Sequence, residues 1–180
     1  MTDDPRMSRA VSDPAALWTH ESIRLASGGV WLTKPPASAP KPEGVSIDTR
    51  TLSPGSVFVA IAGERTDGHR YLAQAHASGA SLAIVERDEP ARAPQGLGIV
   101  RVESSRAALE RLARAHRRTL VSTRVVAVTG SCGKTTTTRL IDAVLGASLR
   151  GTASIKSYNN RLGVALTILS ASPRDRYLVA

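Results

Sequence analysis

The sequence predicts an α/β protein in which a small N-terminal α/β domain is followed by the beginning of a second α/β domain that opens with a glycine-rich loop. Short β-branched runs alternate with helical patterns along the 180 residues, which is typical of mostly parallel sheets. Apolar residues make up 42% of the chain but aromatic residues only 3%. The core must therefore consist of Val, Leu, Ile and Ala, as in buried parallel strands.

We predict a loose tail over residues 1–12 and a first domain over 13–120. Gly28 and Gly29 end its first helix, and Gly79 takes the position after its second. The proline-rich stretch 34–42 is expected to be a surface loop, because proline cannot occupy a helix interior or a central strand. The predicted helices span 13–25, 70–78 and, after the N-cap Ser104, 105–119; the predicted strands span 57–61, 81–85 and 98–102.

The second domain is predicted to be partial and to span 121–180. A buried-type strand over 124–128 leads into the glycine-rich loop, and a helix over 134–147 follows it. A further helix over 159–171 and a strand over 177–180 complete the pattern. A nucleotide-binding sheet usually has about five strands, so two strands and two helices predict an incomplete domain and a truncated chain.

Composition and charge exclude several classes of protein. The net charge of +9 is poorly clustered along the chain, and its densest stretch is an arginine-rich helical segment near 101–118 without interleaved aromatic residues. It indicates a solvated helix face or a surface that attracts anions rather than a nucleic-acid site. The single cysteine, Cys132, allows no internal disulfide. No apolar run reaches the ~18–20 residues of a membrane span, and no secretory signal is present, so a cytoplasmic protein without membrane insertion is expected.

The glycine-rich loop and the start of its helix are typical of a site for the phosphates of ATP with Mg²⁺. Glycines let successive backbone N–H groups point at an anion, and the helix N-terminus adds the positive end of its dipole. Lys134 is expected to reach the β- and γ-phosphates, and the Thr135 hydroxyl to ligate Mg²⁺; these two are the candidate catalytic residues. Val128 stands where the full Walker pattern has glycine. The candidate nucleotide-binding residues are Gly130, Ser131, Cys132, Gly133, Lys134, Thr135 and Thr136.

Two further side chains have open interpretations. Cys132 lies near a helix N-terminus, which lowers the pKa of a thiol, but no His or Asp is placed to complete a nucleophilic site. We therefore interpret it as a variable loop position. His69 could contact a substrate or hold structure; a metal ligand is disfavoured because no second ligand lies at the required spacing. The other histidines, His20, His76 and His116, show no pattern.

Three segments resemble motifs of a known family. Residues 48–60 read DTRTLSPGSVFVA, residues 63–69 read GERTDGH, and residues 128–137 read VTGSCGKTTT. Each is similar to a motif of the Mur ligases of peptidoglycan synthesis, including the short spacing of the glycine loop. A fourth segment, KSYNNRLGVALT at 156–167, is similar to the family member that adds D-Ala-D-Ala. Two positions differ from these motifs: Ala165 replaces a proline and Thr49 a serine.

The resemblance implies an ATP-dependent ligase that adds D-Ala-D-Ala to UDP-MurNAc-tripeptide through an acyl phosphate. Such enzymes have a UDP-substrate domain, a central ATPase domain and a domain that receives the amine. The family's magnesium-binding glutamate and modified lysine, and its amine-binding domain, are expected beyond Ala180, so the chain alone should be inactive. The resemblance assigns the UDP-substrate side to Thr49, Arg50, Asp67, Gly68 and His69, and the sugar-peptide region near ATP to Asn159 and Asn160.

Other functions remain open at this point. The chain could belong to a sister ligase that adds the third amino acid of the peptide, although the segment around Asn159 and Asn160 disfavours this. It could also be a non-catalytic nucleotide-binding protein or, less in keeping with its charge pattern, a nucleic-acid binder. The complete ligase is expected to be a monomer that contributes to cell wall synthesis, and hence to cell shape and division.

Overall fold

The computed structural model describes residues 17–63, 66–88, 94–154 and 161–180. Its internal contacts divide the chain into two compact units, with the division after Leu112. Each unit combines helices with a sheet that is mostly or wholly parallel, which confirms the predicted fold class. The domain bounds 13–120 and 121–180 remain a prediction.

The N-terminal unit is built on a five-stranded sheet. Its strands β2, β3, β4 and β5 are parallel, and β1 pairs antiparallel with β5 in the order β1-β5-β4-β3-β2. Two 3₁₀ turns, Thr49–Thr51 and Gly68–Tyr71, follow β2 and precede α2. The elements are α1 (His20–Ser27), β1 (Val30–Thr33), β2 (Val45–Ser46), β3 (Val57–Val59), α2 (Leu72–Ala77), β4 (Leu82–Val85), β5 (Gly98–Arg101) and the first part of α3 (Ser105–Thr119).

The core of this unit lies on the central strands. All residues of β3 and β4 are buried, as are the first three of β5. Because strands buried on both faces need apolar residues at every position, these runs read as continuous rather than alternating. One cluster joins them to α2 through Phe58, Leu72, Val85, Leu97 and Ile99.

The first helix begins later than predicted. It starts at His20, after Thr19, whose side-chain oxygen accepts a hydrogen bond of 3.1 Å from the Ser22 amide. The prediction that residues 17–19 belong to this helix is wrong. Residues 13–16 lie outside the described part of the chain. Thr19, a residue type that is preferred at the N-cap, was a stronger signal for the start of the helix than residue 13. The predicted end holds, because Gly28 takes the left-handed φ of 71° at the C-cap.

Strand β1 has no counterpart among the predicted elements. It is a four-residue edge strand between glycine and a proline-rich loop, and its formation depends on pairing with β5. Gly29 permits that approach, since a Cβ at this position would lie 2.2 Å from Val100 Cγ1. The short β-branched and aromatic run Val30–Thr33, bounded by Gly and Pro, was the signal available in the sequence.

The C-terminal unit contains a three-stranded parallel sheet with the order β6-β8-β7. The prediction of two strands is wrong because it missed β7. The sequence of this strand, Gly-Thr-Ala, contains no apolar run that would have indicated it. Its Gly151 pairs with Tyr177, and a Cβ there would lie 2.4 Å from the tyrosine ring. Besides the end of α3, the elements are β6 (Arg124–Val126), α4 (Lys134–Gly146), β7 (Gly151–Ala153), α5 (Arg161–Ser170) and β8 (Tyr177–Val179).

Helix α4 leaves part of its apolar face uncovered in this unit. Leu140 is 61% exposed and Val144 is 72% exposed. Val125 of the edge strand β6 is also exposed. Exposed apolar side chains and an unpaired strand edge predict poor solubility of the chain, which light scattering can measure.

A tyrosine joins β8 to α4. The Tyr177 hydroxyl donates a hydrogen bond of 2.7 Å to Asp142 Oδ1, and this bond together with burial raises the pKa of Tyr177 from 10.0 to about 12. An ionised phenolate could no longer donate to the carboxylate and would repel it. The hydrogen bond therefore stabilises the fold below pH 10, and its contribution is lost as the pH rises towards 12.

We expect Tyr177→Phe to lower the free energy of unfolding by about 1 kcal/mol at neutral pH. The difference from the unsubstituted chain should shrink as the pH rises from 10 towards 12, because the unsubstituted chain then loses the hydrogen bond that the variant lacks at every pH. Urea unfolding at pH 7 and at alkaline pH measures this. Tyr71→Phe, at a residue that is 39% exposed, is the matched control, and an equal loss in both variants would contradict the assignment.

Candidate functional site

The glycine-rich loop begins where two parallel strands end. Beyond β6, the Val128 amide donates a hydrogen bond of 2.7 Å to the Ala180 carbonyl, and the Ala180 amide donates one of 2.9 Å to the Val126 carbonyl. The loop then spans 129–133, and α4 begins at Lys134. The carboxyl edge of an open parallel sheet is where such folds bind their ligands.

Two glycines shape this loop. Gly130 has φ of 150°, and Gly133, the N-cap of α4, has φ of 79°, a left-handed conformation that side chains with a Cβ rarely adopt. The first hydrogen bond within α4 runs from the Thr137 amide to the Gly133 carbonyl. Because the first amides of a helix have no acceptor within it, those before Thr137 can serve an anion, which the helix dipole also favours.

The Lys134 ammonium folds over the same loop. It donates to the Gly130 carbonyl at 2.5 Å and lies 3.4 Å from the Ser131 carbonyl. Lys134 lines the same open cavity as Ser131, Gly133, Thr135 and Thr136. A positive charge next to free amides makes this the strongest candidate anion site of the C-terminal unit.

The predicted nucleotide-binding residues come together here. An open cavity of about 210 Å³ is lined by Ser131, Gly133, Lys134, Thr135 and Thr136. Cys132 is exposed in the same loop, and Gly130 supplies a carbonyl to Lys134.

The Thr135 hydroxyl fits the coordination preference of Mg²⁺, which takes oxygen ligands and keeps several of them from water or substrate phosphates. Among the described residues, no group of three or more His, Cys, Asp or Glu side chains could hold a metal ion. A single hydroxyl ligand fits a cation whose other ligands come from a bound nucleotide and from water.

On the N-terminal unit, Thr49 and Arg50 lie in the 3₁₀ turn that follows β2. The Asp48 carboxylate caps this turn by accepting the Arg50 amide at 3.0 Å, and it also accepts Arg50 Nε at 2.9 Å and Nη2 at 2.6 Å. These hydrogen bonds raise the pKa of the Arg50 guanidinium. Its side chain is 82% exposed, so the guanidinium faces solvent while it is paired with the Asp48 carboxylate.

Gly68 and His69 begin the second 3₁₀ turn of this unit, Gly68–Tyr71, and Asp67 is its N-cap; Asp67, Gly68 and His69 are called the Asp67 turn. The imidazole is only 3% exposed, and it lies 2.7 Å from Asp67 Oδ1 through Nδ1 and 3.0 Å from the Glu86 amide through Nε2. The hydrogen bond from His69 holds the pKa of Asp67 below its usual value, and the Arg87 charge at 2.8 Å from Oδ2 acts in the same direction. This geometry favours the structural interpretation of His69.

Several sequence-based assignments have other outcomes. Asn159, Asn160, Glu64 and Arg65 lie outside the described residues. The helix predicted over 159–171 is described from Arg161 to Ser170. Sequence reasoning missed Glu86 and Arg87 as partners of the Asp67 turn, although their position directly after a predicted parallel strand was a usable signal.

The C-terminal unit has the features of the nucleotide-binding α/β proteins: a parallel strand, a glycine loop with lysine and threonine, and a helix. Residues 41–117 match the family model described as "Mur ligase family, catalytic domain", and residues 128–180 match the "Mur ligase middle domain". The chain belongs to the Mur ligase family.

Named relatives agree with this. The UDP-N-acetylmuramoyl-tripeptide--D-alanyl-D-alanine ligase of Bacillus subtilis is 39% identical over 127 residues, which are 71% of this chain and 27% of that protein. A crystal structure of MurF from Acinetobacter baumannii superposes with a TM-score of 0.77 at 31% identity, covering 90% of this chain and 35% of that one.

MurF from Thermotoga maritima, solved in complex with ADP, gives a TM-score of 0.62 at 33% identity, covering 76% of this chain and 31% of that one. The chain thus spans about a third of the length of the proteins it matches. No helix among the described residues is long and apolar enough to cross a membrane.

Proposed function

We propose that the chain carries the nucleotide-binding and UDP-substrate-binding parts of an ATP-dependent ligase. This ligase joins D-Ala-D-Ala to UDP-MurNAc-tripeptide in the cytoplasmic synthesis of peptidoglycan precursors, on which cell shape and division depend. The observation that carries the proposal is the Lys134 ammonium on a left-handed glycine loop at the start of α4. The proposal is further supported by the 39% identity of the chain to the D-alanyl-D-alanine ligase of Bacillus subtilis.

In this reaction the terminal carboxylate of the tripeptide attacks the γ-phosphate of ATP and releases ADP. The amine of D-Ala-D-Ala then attacks the acyl phosphate, loses a proton and displaces inorganic phosphate. The loop amides and Lys134 would hold the β- and γ-phosphates and neutralise the charge that develops on them, which is the main protein contribution to phosphoryl transfer. Thr135 would hold Mg²⁺, which when bound neutralises phosphate charge.

The turn after β2 and the Asp67 turn would form the UDP-substrate side. Thr49, Arg50, Asp67 and Gly68 lie at or after the carboxyl ends of β2 and β3, the edge of a parallel sheet at which ligands bind. The exposed guanidinium of Arg50, which is paired with Asp48, would also donate hydrogen bonds to a diphosphate. We assign Asn159 and Asn160 to the sugar-peptide part of the substrate near ATP.

Titration calorimetry with the 180-residue chain tests the proposal. We expect UDP-MurNAc-tripeptide to bind, and to bind more tightly than UDP-MurNAc-dipeptide, which is the substrate of the sister ligase. Tighter binding of UDP-MurNAc-dipeptide would instead assign the chain to the sister ligase. Binding of ATP without either UDP compound would leave a nucleotide-binding protein and contradict the ligase assignment.

Arg50→Ala should weaken the binding of UDP-MurNAc-tripeptide by about tenfold, because a charge-assisted hydrogen bond to phosphate contributes ~1.5–3 kcal/mol. The same calorimetric titration measures it. Arg114→Ala, at an exposed position on α3, removes one positive charge elsewhere and should leave the affinity within about twofold. If only Arg114→Ala weakened binding tenfold, or if neither variant did, Arg50 would not belong to the substrate site.

A further inference from the structure

The segment after β3 crosses back over the end of that strand. The Gly63 amide donates to the Thr66 carbonyl at 2.9 Å, and the Gly68 amide donates to the Ile61 carbonyl at 3.0 Å. A Cβ on Gly68 would lie 2.7 Å from the Ile61 nitrogen, so only glycine lets the backbone pass this closely. The turn is thus pressed against the strand, and the next residue, His69, is carried into the interior.

The hydrogen bonds of His69 fix its protonation state. A backbone N–H can only donate, so Nε2 accepts from the Glu86 amide at 3.0 Å and carries no proton. The proton of the neutral ring then lies on Nδ1, which donates to Asp67 Oδ1 at 2.7 Å. Both nitrogens are occupied and the ring is buried, which leaves no lone pair or proton for a ligand.

The bonds continue beyond the ring on both sides. Glu86 Oε1 accepts the Ser105 amide at 2.7 Å in the first turn of α3, where an acceptor satisfies one of the helix's open donors. Asp67 Oδ2 accepts from Arg87 Nη1 at 2.8 Å. The imidazole therefore lies at the centre of a chain that joins the turn after β3, the end of β4 and the start of α3.

We propose that His69 is a positioning residue: as a neutral clasp with its proton on Nδ1, it fastens the Asp67 turn to the end of β4 and, through Glu86, to α3. The imidazole itself contacts no substrate. The clasp itself depends only on the fold. Its contribution to substrate binding rests on the proposed function, in which Asp67 and Gly68, the residues that it positions, belong to the UDP-substrate side.

Two conservative variants separate the two hydrogen bonds. His69→Gln can offer an oxygen near the position of Nε2 and should keep the Glu86 amide protected. His69→Asn can offer an N–H near Nδ1 and should keep only the bond to Asp67. Amide hydrogen exchange by NMR on the 180-residue chain without ligand reads the bonds of the Glu86 and Ser105 amides, so the result is independent of whether a UDP compound binds.

We expect exchange at Glu86 and at Ser105 to be faster by about tenfold in His69→Asn and near the unsubstituted rate in His69→Gln. Leu72→Ala, at a buried residue of the same segment, is the control, since it should raise exchange across the unit without singling out these two amides. Equal exchange in both His69 variants would overturn the proposal.

The unsubstituted chain gives a second test that does not depend on the stability of a variant. A ¹H–¹⁵N spectrum of the histidine rings should show the His69 proton on Nδ1 at neutral pH. A proton on Nε2 would be incompatible with an accepted Glu86 amide and would overturn the clasp.

Discussion

Replacing Lys134 with alanine is expected to weaken the binding of ATP to the chain by about 10–100-fold, since hydrogen bonds to charged groups contribute ~1.5–3 kcal/mol each. The Lys134 ammonium now lies on the Gly130 and Ser131 carbonyls, and it needs only a rotation of its own side chain to reach a phosphate bound at the amides of α4. Alanine removes that charge but keeps Gly130 and Gly133, whose backbone conformations shape the loop.

Fluorescence titration with a labelled ATP analogue in the presence of Mg²⁺ measures the affinity. Lys134→Arg keeps the charge but cannot place it as a compact ammonium, so it should recover only part of the affinity. Lys41→Ala, at an exposed lysine of the N-terminal unit, removes the same charge away from the loop and should have little effect. Unchanged affinity in Lys134→Ala would exclude the loop as the phosphate site.

The glycine loop could be predicted from sequence because its determinants are local. The order of strand, Gly130, Gly133, Lys134 and helix fixes both the left-handed turn and the amides that point from it. The same holds for Gly28 and its helix end. Where a conformation is decided by a few adjacent residues, the pattern in the sequence and the structure agree.

Strand β7 could not be predicted in the same way, because its residues acquire strand structure only by pairing with distant ones. Gly151 is a poor strand former by itself, yet it is required next to the Tyr177 ring. The partners of His69 are likewise non-local, since Glu86 reaches the imidazole only after β3 and β4 have paired. Sequence alone therefore left substrate contact and structure open for this histidine.

The buried carboxylate of Asp175 stabilises the turn that precedes β8, and no pattern in the sequence predicted this role. Asp175 is 3% exposed, and its Oδ2 accepts the Thr152 hydroxyl at 2.7 Å and the Ser172 amide at 2.8 Å. Its Oδ1 lies 3.2 Å from Arg150 Nε, whose side chain is largely exposed. The carboxylate thus joins β7 to the turn before β8, the two strands that pair in the C-terminal sheet.

Asp175→Ala should lower the free energy of unfolding of the C-terminal unit by about 3 kcal/mol, because the Ser172 amide and the Thr152 hydroxyl would lose their buried acceptor at ~1–3 kcal/mol each. Asp175→Asn keeps one oxygen for these two donors and turns its amide towards Arg150, which can move into solvent, so we expect a loss of only about 1 kcal/mol. Urea unfolding followed by the amide NMR signals of β8 measures both variants. Asp88→Ala, which removes a carboxylate that is 57% exposed in its ion pair with Arg101, should change stability by less than about 1 kcal/mol. If Asp175→Ala were no more destabilising than Asp88→Ala, the buried carboxylate would not be what holds β7 to the turn before β8.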